Sequence, residues 1–476
     1  MVLVDSTVVN VALPSIRSEL GGGFAGQQWT ANAYLVTLAS LILVGGSLGD
    51  ALGERRVFAA GVLGFGATSL LCALAPSIEV LVAVRALQGV TGALVTPAAL
   101  AVIVAVFPSD ERGRAVGSWT AWSAIGAVLG PLIGGQLVDA ASWRWIFLIN
   151  VPLVIATLVL IARVVPESSR SGGRAAIDVA GGALCALGLG LLTFGLVRAP
   201  DAGLGDPAVF GTLAGAVALL AAFVAHERRT PHPMLPLELF RNRNFAVGNV
   251  ETLAMYAGLS LLFFFLVIFL QEVAGYSAVQ AGTSSLPVTV VMFLSSSRFG
   301  ALADRYGPRL FMGLGPLVAA SGLALLATLD ADVPYLTALL PRLFVFAVGL
   351  SMTVSPLTAT VLASADEGNA GTASGVNNAI ARTAGLLGIA LVGSVVAARY
   401  GSGAGDSLGA FRLSMGISAA LVAAGGVAGL VGIRNPVREV AAKGCGGGSL
   451  SGAPVDCARV SGAAEPPAAV VADRAP

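Results

Sequence analysis

Charged side chains are scarce in this chain of 476 residues: only 11% are Asp, Glu, Lys or Arg, while 56% are hydrophobic. Soluble domains usually carry about 25% charged residues, so these charges are too few to cover a water-facing surface. The composition therefore excludes an ordinary soluble protein. A mean hydropathy of +0.86 and many apolar runs of about 20 residues, the length that crosses a bilayer, predict an all-α polytopic membrane protein.

Other residue types are also scarce, and each shortage excludes a class of function. Two histidines, His226 and His232, lie in one loop without ligand partners, and four cysteines show no metal-ligand spacing, so we expect no metal site. A net charge of +1 gives no reason to expect a nucleic-acid partner. The sequence has no Walker-type phosphate loop and no cluster of nucleophile, base and acid. We therefore expect neither direct use of ATP nor an enzyme.

Apolar runs between charged or Gly/Pro-rich breaks predict fourteen membrane spans. They cover about residues 2–17, 29–49, 57–75, 79–106, 115–138, 145–165, 176–197, 207–225, 245–271, 279–297, 309–329, 334–362, 372–398 and 411–433. Residues 434–476 are rich in Gly, Ala and Pro and are predicted to form a disordered tail.

The distribution of basic residues predicts the orientation of the chain. Fourteen spans put both termini on one side of the membrane. Nineteen basic residues lie in the tail and in the loops on that side, against five on the other side. Cytoplasmic segments carry the excess of Lys and Arg, so we expect both termini in the cytoplasm and the protein in the inner (plasma) membrane.

The chain contains an internal repeat. The segments "GSLGDALGERR" from Gly46 and "GALADRYGPR" from Gly300 share the pattern G-x-L-x-D-x-x-G-x-R and follow spans two and ten. The repeat predicts two six-helix bundles, 1–170 and 231–433, with two inserted helices over 171–230 and the tail at 434–476; paired bundles are typical of secondary transporters. The residues that we single out in these loops are Gly46, Asp50, Gly53, Arg55, Arg56, Gly300, Asp304, Arg305, Gly307 and Arg309.

A second motif occupies the fifth span, "GSWTAWSAIGAVLGPLIGG". Its marked residues are Gly117, Gly126, Gly130, Pro131, Gly134 and Gly135. The glycines at 126, 130 and 134 lie four apart, so one helix face is open to close approach by a neighbouring helix. The alternative is a generic small-residue packing face.

Two ionisable residues stand inside apolar runs, Asp5 in "LVDSTVVNVALP" and Arg85 in "LVAVRALQGVTGA". Such residues are costly in a membrane and usually serve function. Asp5 suits a proton carrier, or else a solvated or capping residue near a helix end. Arg85 suits a cavity-facing role, or else a structural ion pair. The first span is short, and we expect about 10–15 further residues upstream of it.

Together with "WRWIFLINVP" from Trp143, these motifs resemble the 14-helix drug/proton antiporters (EmrB/QacA type) of the major facilitator superfamily, over about residues 1–433. The resemblance implies conformational latches in the two repeated loops and an antiporter motif in span five. It also implies proton coupling by Asp5 and Arg85. Trp143 and Trp145 suit an interfacial anchor.

Further residues are candidates for a substrate cavity: Tyr34, Trp119, Trp122, Glu251, Asn377, Asn378 and Arg382. For each, a second interpretation stays open. The aromatic residues suit an aromatic wall of the cavity, although aromatic residues in helices more often pack, and Glu251 equally suits a position near the cytoplasmic interface. The asparagines and Arg382 equally suit hydrogen bonds between helices, the commoner use of membrane Asn.

The predicted function is a secondary active exporter that exchanges protons for drugs, antibiotics or toxic metabolites by alternating access. Its expected partners are a drug-like small molecule, protons and the lipid bilayer, and its energy source is the proton gradient, without a cofactor. The alternative is a proton-coupled importer or a uniporter of a small metabolite. A channel is disfavoured because nothing resembles a selectivity filter or a ring of like charges.

Overall fold

A computed structural model describes residues 2–106, 130–165, 178–203, 205–231, 233, 235–364, 370–397 and 404–435. All regular secondary structure within these ranges is helical, which confirms the predicted all-α fold. Eleven of the described segments are long and apolar enough to cross a membrane. With α1, α2 and α5, defined below, the helical segments agree with the fourteen predicted spans.

The first half of the chain contains seven described helices. They are α1 (Val2–Leu20), α2 (Gly23–Leu52), α3 (Glu54–Ala73), α4 (Ile78–Val106), α5 (described over 130–140), α6 (Trp145–Leu148) and α7 (Asn150–Val164). Helices α6 and α7 follow each other within one apolar segment and together form one span.

Two helices then follow as the predicted insert, α8 (Val179–Ala202) and α9 (Pro207–Glu227). The second half contains α10 (Arg243–Glu272), α11 (Ala278–Ser284), α12 (Leu286–Tyr306), α13 (Pro308–Leu326), α14 (Leu340–Ala363), α15 (Ala370–Val396) and α16 (Ala404–Gly432). A 3₁₀ turn over Leu237–Arg241 precedes α10, and a π-helical turn over Tyr335–Leu339 precedes α14.

The two halves repeat one packing pattern. Helix α4 packs against α2 and α3, as α14 packs against α12 and α13. Helix α3 packs against α7, as α13 packs against α16. Glycines allow these close approaches: a Cβ at Gly61 would lie 2.9 Å from the Leu94 side chain, and one at Gly322 would lie 2.5 Å from the Phe346 main chain. The internal repeat of the sequence is thus matched by a repeat of helix contacts.

The inserted helices α8 and α9 pack against each other, and α8 also packs against α2 and α15. At their predicted cytoplasmic ends, Asp178 caps α8 by accepting a hydrogen bond from the Gly181 main-chain N–H, 2.8 Å. Nε2 of His226 lies 2.8 Å from Oδ1 of the same carboxylate. The prediction that His226 lies in a loop is wrong, because it is the penultimate residue of α9; His232 lies outside the described residues. No group of residues suited to a metal occurs within the described ranges.

The two halves meet at the face that carries the α1–α2 turn, which we call the predicted outer face. Arg17 pairs with Glu272 at 3.0 Å. The Asp139 carboxylate accepts the main-chain N–H groups of Ala278 and Val279, at 3.1 and 2.9 Å. The hydrogen bonds between the halves that the described residues form all lie in this outer half of the bundle. The pattern is that of a conformation closed at the predicted outer face.

Candidate functional site

Asp5 lies deep in the first half of the molecule. It is twelve residues before Arg17 on α1, or about 18 Å at 1.5 Å per residue, and its side chain is 1% exposed. Arg85 of α4, also 1% exposed, forms an ion pair with the Asp5 carboxylate. The interpretation of Asp5 as a solvated or capping residue is therefore wrong, and the structure brings the two predicted proton-coupling residues together.

Gln88 completes the partners of both groups. Its side-chain Nε2 donates to Oδ1 of Asp5 at 3.1 Å, and its Oε1 accepts from Nη1 of Arg85 at 2.7 Å. The two residues are three apart on α4, so their side chains leave the same face of the helix. Nε of Arg85 also donates to the Thr30 carbonyl oxygen at 3.2 Å. Both carboxylate oxygens of Asp5 thus accept hydrogen bonds.

The network extends to further helices. Gln88 Nε2 donates to the Ser69 hydroxyl on α3 at 2.9 Å, and Asn150 Nδ2 of α7 donates to the same oxygen at 3.3 Å. Tyr34 of α2 is fully buried, and its ring lies 4.4 Å from the Arg85 guanidinium carbon. Tyr34 therefore belongs to this network, as its packing interpretation predicts, and not to an exposed aromatic wall.

The arrangement stores a charge pair in an apolar interior. A buried ion pair is tolerated only when further hydrogen bonds satisfy its remaining donors and acceptors. Five helices contribute to this network. Asp5 comes from α1, the Thr30 carbonyl from α2, Ser69 from α3, Arg85 and Gln88 from α4, and Asn150 from α7. A change in the charge of Asp5 would consequently be felt by five helices at once.

The described part of the antiporter motif packs on the helix that carries Asp5. A Cβ at Gly130 would collide with Oγ1 of Thr7, and one at Gly134 would lie 2.9 Å from Cγ1 of Val8. Both contacts are on α1, so the predicted glycine face is confirmed where it is described, and its neighbour is α1.

The rest of this motif reaches the other half of the molecule. A Cβ at Gly135 would lie 2.7 Å from the Val279 Cα of α11, and one at Gly282 would collide with the Pro131 carbonyl oxygen. Gly117 and Gly126 lie outside the described residues, as do Trp119 and Trp122. The end of α5 thus contacts both α1 and the second half.

The repeated loops have the same backbone form in both halves. Gly53 (φ 94°, ψ 129°) ends α2 and Gly307 (φ 89°, ψ 148°) ends α12, each in a region that favours glycine. Arg55 donates to the Ala162 carbonyl at 3.3 Å, and Arg309 to the Leu430 carbonyl at 2.6 Å. Each acceptor is two residues before the end of the last helix of its half, where carbonyls lack helical partners.

The acids of these loops are less informative. The side chain of Asp50 lies outside the described residues, while Asp304, Arg305 and Arg56 are exposed. The Arg305 guanidinium lies 5.4 Å from the Tyr306 ring. Gly46 lies near Pro97 of α4, and Gly300 faces Ser355 of α14, so both glycines permit helix contacts. The proposed latch function of the loops stays a prediction.

The candidate cavity residues of the second half separate into three groups. Asn377 Nδ2 donates to Asn249 and Thr252 of α10 at 3.0 and 2.8 Å, so it links two helices. Asn378 is exposed and bonds within its own helix, to Ser374.

Arg382 is half-buried and lies in electrostatic range of Tyr34 and Tyr256, which belong to opposite halves. Glu251 is fully buried against α16. A cleft of about 700 Å³ between α11, α12 and α14, lined by Tyr276, Tyr335 and other residues, contains neither of them. Arg382 is thus the candidate that the structure places between the halves.

Two features of the site could have been found in the sequence, and two could not. Gln88 is one helical turn from Arg85, and Asn150 lies inside the "WRWIFLINVP" segment. Ser69 and the Thr30 carbonyl carry no pattern that marks them.

Trp143, predicted as an interfacial anchor, is buried and donates its indole N–H to Glu19 at 2.6 Å, whereas Trp145 is half exposed.

Comparison with curated proteins gives relatives that are more than a third identical to this chain over the aligned residues. The puromycin resistance protein pur8 of Streptomyces alboniger is 38% identical over 403 residues, 83% of this chain and 79% of that protein. The tetracenomycin C resistance and export protein of Streptomyces glaucescens is 34% identical over 402 residues, 84% of this chain and 74% of that protein.

Solved structures share the fold at low sequence identity. A bacterial homologue of the human lysosomal transporter Spinster, in an inward-facing and unoccupied conformation, has a TM-score of 0.63 at 16% identity, over 90% of this chain and 94% of that one. The peptide transporter POT in complex with sulfate has a TM-score of 0.63 at 14% identity, over 90% and 91%. The family model of the Major Facilitator Superfamily matches residues 1–389. A polytopic helical chain with this repeat, these relatives and this match is a transporter rather than an enzyme, and it belongs to the Major Facilitator Superfamily.

Proposed function

We propose that this protein exports drug-like small molecules from the cell in exchange for protons, with Asp5 as the proton-carrying group. The observation that supports this most is the buried network of Asp5, Arg85 and Gln88, which joins an ionisable carboxyl to five helices. Relatives named for resistance to puromycin and for resistance to and export of tetracenomycin C support the direction of transport and the class of substrate.

The ion pair explains how a proton would be held and released. The ion pair with Arg85 requires Asp5 in its deprotonated form. When a proton neutralises Asp5, the attraction ends. Arg85 then still has the Gln88 oxygen, the Thr30 carbonyl and the Tyr34 ring as partners. The paired state is the one that has lost its proton.

The proposed cycle follows from this exchange. In the conformation closed at the predicted outer face, Asp5 is paired and the protein accepts substrate from the cytoplasm. After the protein opens outward, substrate leaves and a proton from outside neutralises Asp5. The return to the inward conformation restores the ion pair and releases the proton into the cytoplasm. This cycle places the protein in the plasma membrane with both termini cytoplasmic, as the distribution of basic residues predicts.

The proton gradient supplies enough free energy for such an exchange. One charge that crosses 100 mV of membrane potential is worth about 2.3 kcal/mol. A tenfold concentration gradient of substrate costs about 1.4 kcal/mol. For an uncharged substrate, the potential acting on one proton would therefore sustain a gradient of roughly fortyfold, without a cofactor or nucleotide.

Inside-out vesicles with an imposed proton gradient test the proposal. A panel that includes puromycin and lipophilic cations is added, and drug-dependent proton release is recorded for wild type, Asp5→Asn and the control Asp406→Asn, an exposed acid at the start of α16. We expect release with wild type and the control, and none with Asp5→Asn. Substrate movement in the same direction as the protons would instead indicate an importer, and substrate movement that does not depend on the proton gradient would indicate a uniporter.

A further inference from the structure

Glu251 is a second buried acid, and its surroundings differ from those of Asp5. Its side chain is fully buried on α10, and neither carboxyl oxygen has a hydrogen-bond partner among the residues that the structure describes. The opposite surface belongs to α16. A Cβ at Gly429 would lie 2.9 Å from Oε2 of Glu251, and one at Gly425 would lie 3.9 Å from its main chain. Gly429 thus leaves space for the carboxyl group, and Gly425 lies against the main chain of the same residue.

The position of Glu251 is close to the predicted cytoplasmic face. It is 21 residues before Glu272 on α10, which is about 31 Å at 1.5 Å per residue. Asp5 is only about 18 Å from Arg17, the residue of α1 that pairs with Glu272. On α16, Gly429 is three residues before the last helical residue. Glu251 therefore lies roughly one helical turn inside the end of α16.

Two arginines bind main-chain carbonyls at the end of α16, close to this acid. Arg309 donates to the Leu430 carbonyl at 2.6 Å. Arg243 donates to the carbonyls of Gly432 and Val431, at 2.7 and 3.0 Å. These bonds satisfy helix-terminal carbonyls, and neither arginine bonds to Glu251 among the contacts of the described residues. These bonds join the ends of α10, α13 and α16 close to the buried carboxyl.

Among the described residues, no charged side chain of the surrounding elements bonds to Glu251. On α14 the charged residue is Arg342, close to the opposite end of that helix, and the 3₁₀ turn before α10 carries Glu238 and Arg241. On α13 the charged residue is Arg309, and on α16 the charged residues are Asp406 and Arg412, both far from Gly429 along the helix. On α10 they are Arg243 and Glu272 at the two ends. On α15, Arg382 lies in electrostatic range of Tyr256, while Asn377 bonds to the Asn249 and Thr252 side of α10.

An unpaired carboxylate in such a place is far more costly than a protonated carboxyl. We propose that Glu251 is a second proton-binding site, occupied while α10 and α16 are packed together and emptied into the cytoplasm when their predicted cytoplasmic ends separate. In that step the O–H bond breaks, the proton passes to water and the carboxylate keeps the electron pair. This assignment rests on the proposed function, since it adds a second proton to the same transport cycle.

Infrared spectroscopy of the purified full-length protein in lipid tests the assignment without transport. The C=O band of protonated carboxyl groups is recorded at neutral pH for wild type, Glu251→Gln and the control Glu272→Gln, which removes an ion-paired acid from the same helix. We expect part of the wild-type band to be lost in Glu251→Gln and kept in Glu272→Gln. An unchanged band in Glu251→Gln would show that Glu251 is ionised and would overturn the proposal.

A second variant covers the case in which the amide disturbs the fold. Glu251→Met keeps the length of the side chain and carries no charge. If the native group is an uncharged carboxyl, this variant melts at or above the wild-type temperature. A melting temperature well below wild type would reveal a counter-charge that needs the carboxylate and would contradict the assignment. Both measurements use folded protein without substrate, so their failure leaves drug export standing, and failure of drug export leaves them valid.

Discussion

The two halves of this transporter share a backbone plan but differ in their interior chemistry. The first half surrounds its acid with partners: Asp5 accepts from Arg85 and Gln88, and the network continues to Ser69 and Asn150. The second half leaves Glu251 without a hydrogen bond among the described residues. Its first helix, α10, is instead apolar from Leu261 through Leu270. Every residue of that run is buried except Phe263, which is partly exposed.

The difference indicates a division of labour within the pseudo-symmetric pair. Helix contacts, loop glycines and the arginine-to-carbonyl bonds of Arg55 and Arg309 are repeated, so they serve what both halves must do, which is to hold a bundle together. The buried charge pair of the first half has no counterpart among the described residues of the second half. The ion pair of the first half can be broken and remade, whereas the carboxyl of the second half has only a choice between holding a proton and meeting water.

The largest effect is expected from Asp5→Asn. The change leaves the Arg85 guanidinium buried without its counter-ion, and loss of one partner of a buried pair costs about 3–5 kcal/mol. Unfolding of the purified protein measures this cost. Proton-coupled transport should be lost as well, because the amide cannot carry a proton.

A double variant sharpens this prediction. In Asp5→Asn/Arg85→Gln no charge remains in this network, so we expect the double variant to be more stable than either single variant, although equally inactive. Single-variant effects that simply add would show that Asp5 and Arg85 do not act as a pair.

The next effect is expected at the contact between α5 and α1. Gly130→Val places a side chain against Thr7, two residues from Asp5, and overpacking of a tight contact costs about 1–3 kcal/mol. Gly416→Val on α16 is the matched control, because an added Cβ there would meet nothing within 4 Å. Melting temperatures and drug-dependent proton release should fall in the first variant only. Equal behaviour of the two variants would refute the close approach.

A smaller effect is expected at the repeated loops, where the comparison predicts similarity. Arg55→Gln and Arg309→Gln each remove a hydrogen bond to a helix-terminal carbonyl, worth about 1 kcal/mol. Arg56→Gln, which changes an exposed neighbour, serves as the control and should leave the melting temperature unchanged. If only one of the two loops responded, the functional equivalence of the repeat would be disproved.

The smallest effect is expected at Glu19, beyond the predicted outer end of the first span. The hydrogen bond from Arg144, with a further one from the Trp143 indole, lowers the pKa of Glu19, although partial burial opposes this. A lowered pKa stabilises the fold above the ordinary value of about 4.3, and this contribution is lost as the pH falls through the folded-state pKa.

Glu19→Gln should therefore lower stability at neutral pH by about 0.2–1 kcal/mol, the range of exposed ion pairs. The difference from wild type should shrink once the pH drops below about 4. Melting curves recorded across this range decide the matter, and a difference that grows in acid would reverse the assigned sign.

Much of the fold could be predicted from the sequence because its signals are local. Apolar length gave the all-α fold, and the pattern shared by Gly53 and Gly307 predicted a repeat that the loop backbones now show. The four-residue spacing of Gly130 and Gly134 predicted a packing face. Each of these depends only on residues that are neighbours along one helix.

The rest required knowledge of which helices face each other. The partners of Asp5 come from α4, and Ser69 and Asn150 join from α3 and α7, so no single segment contains the network. Glu251 was equally compatible with a cavity or with the interface region, because the rotation of α10 about its axis decides what its side chain meets. His226 found Asp178 across the 48 residues that separate them in the chain.

The most direct test of the central claim, that Asp5 exchanges its proton for substrate, is the affinity for an exported drug as a function of pH. If drug binding favours the deprotonated Asp5, the affinity of purified wild-type protein should rise with pH, by up to roughly tenfold per pH unit where Asp5 titrates. We expect Asp5→Asn to remove this pH dependence. We expect Asp304→Asn, which changes an exposed acid of the second loop, to retain it. An unchanged pH dependence in Asp5→Asn would contradict the assignment of the coupling proton to Asp5.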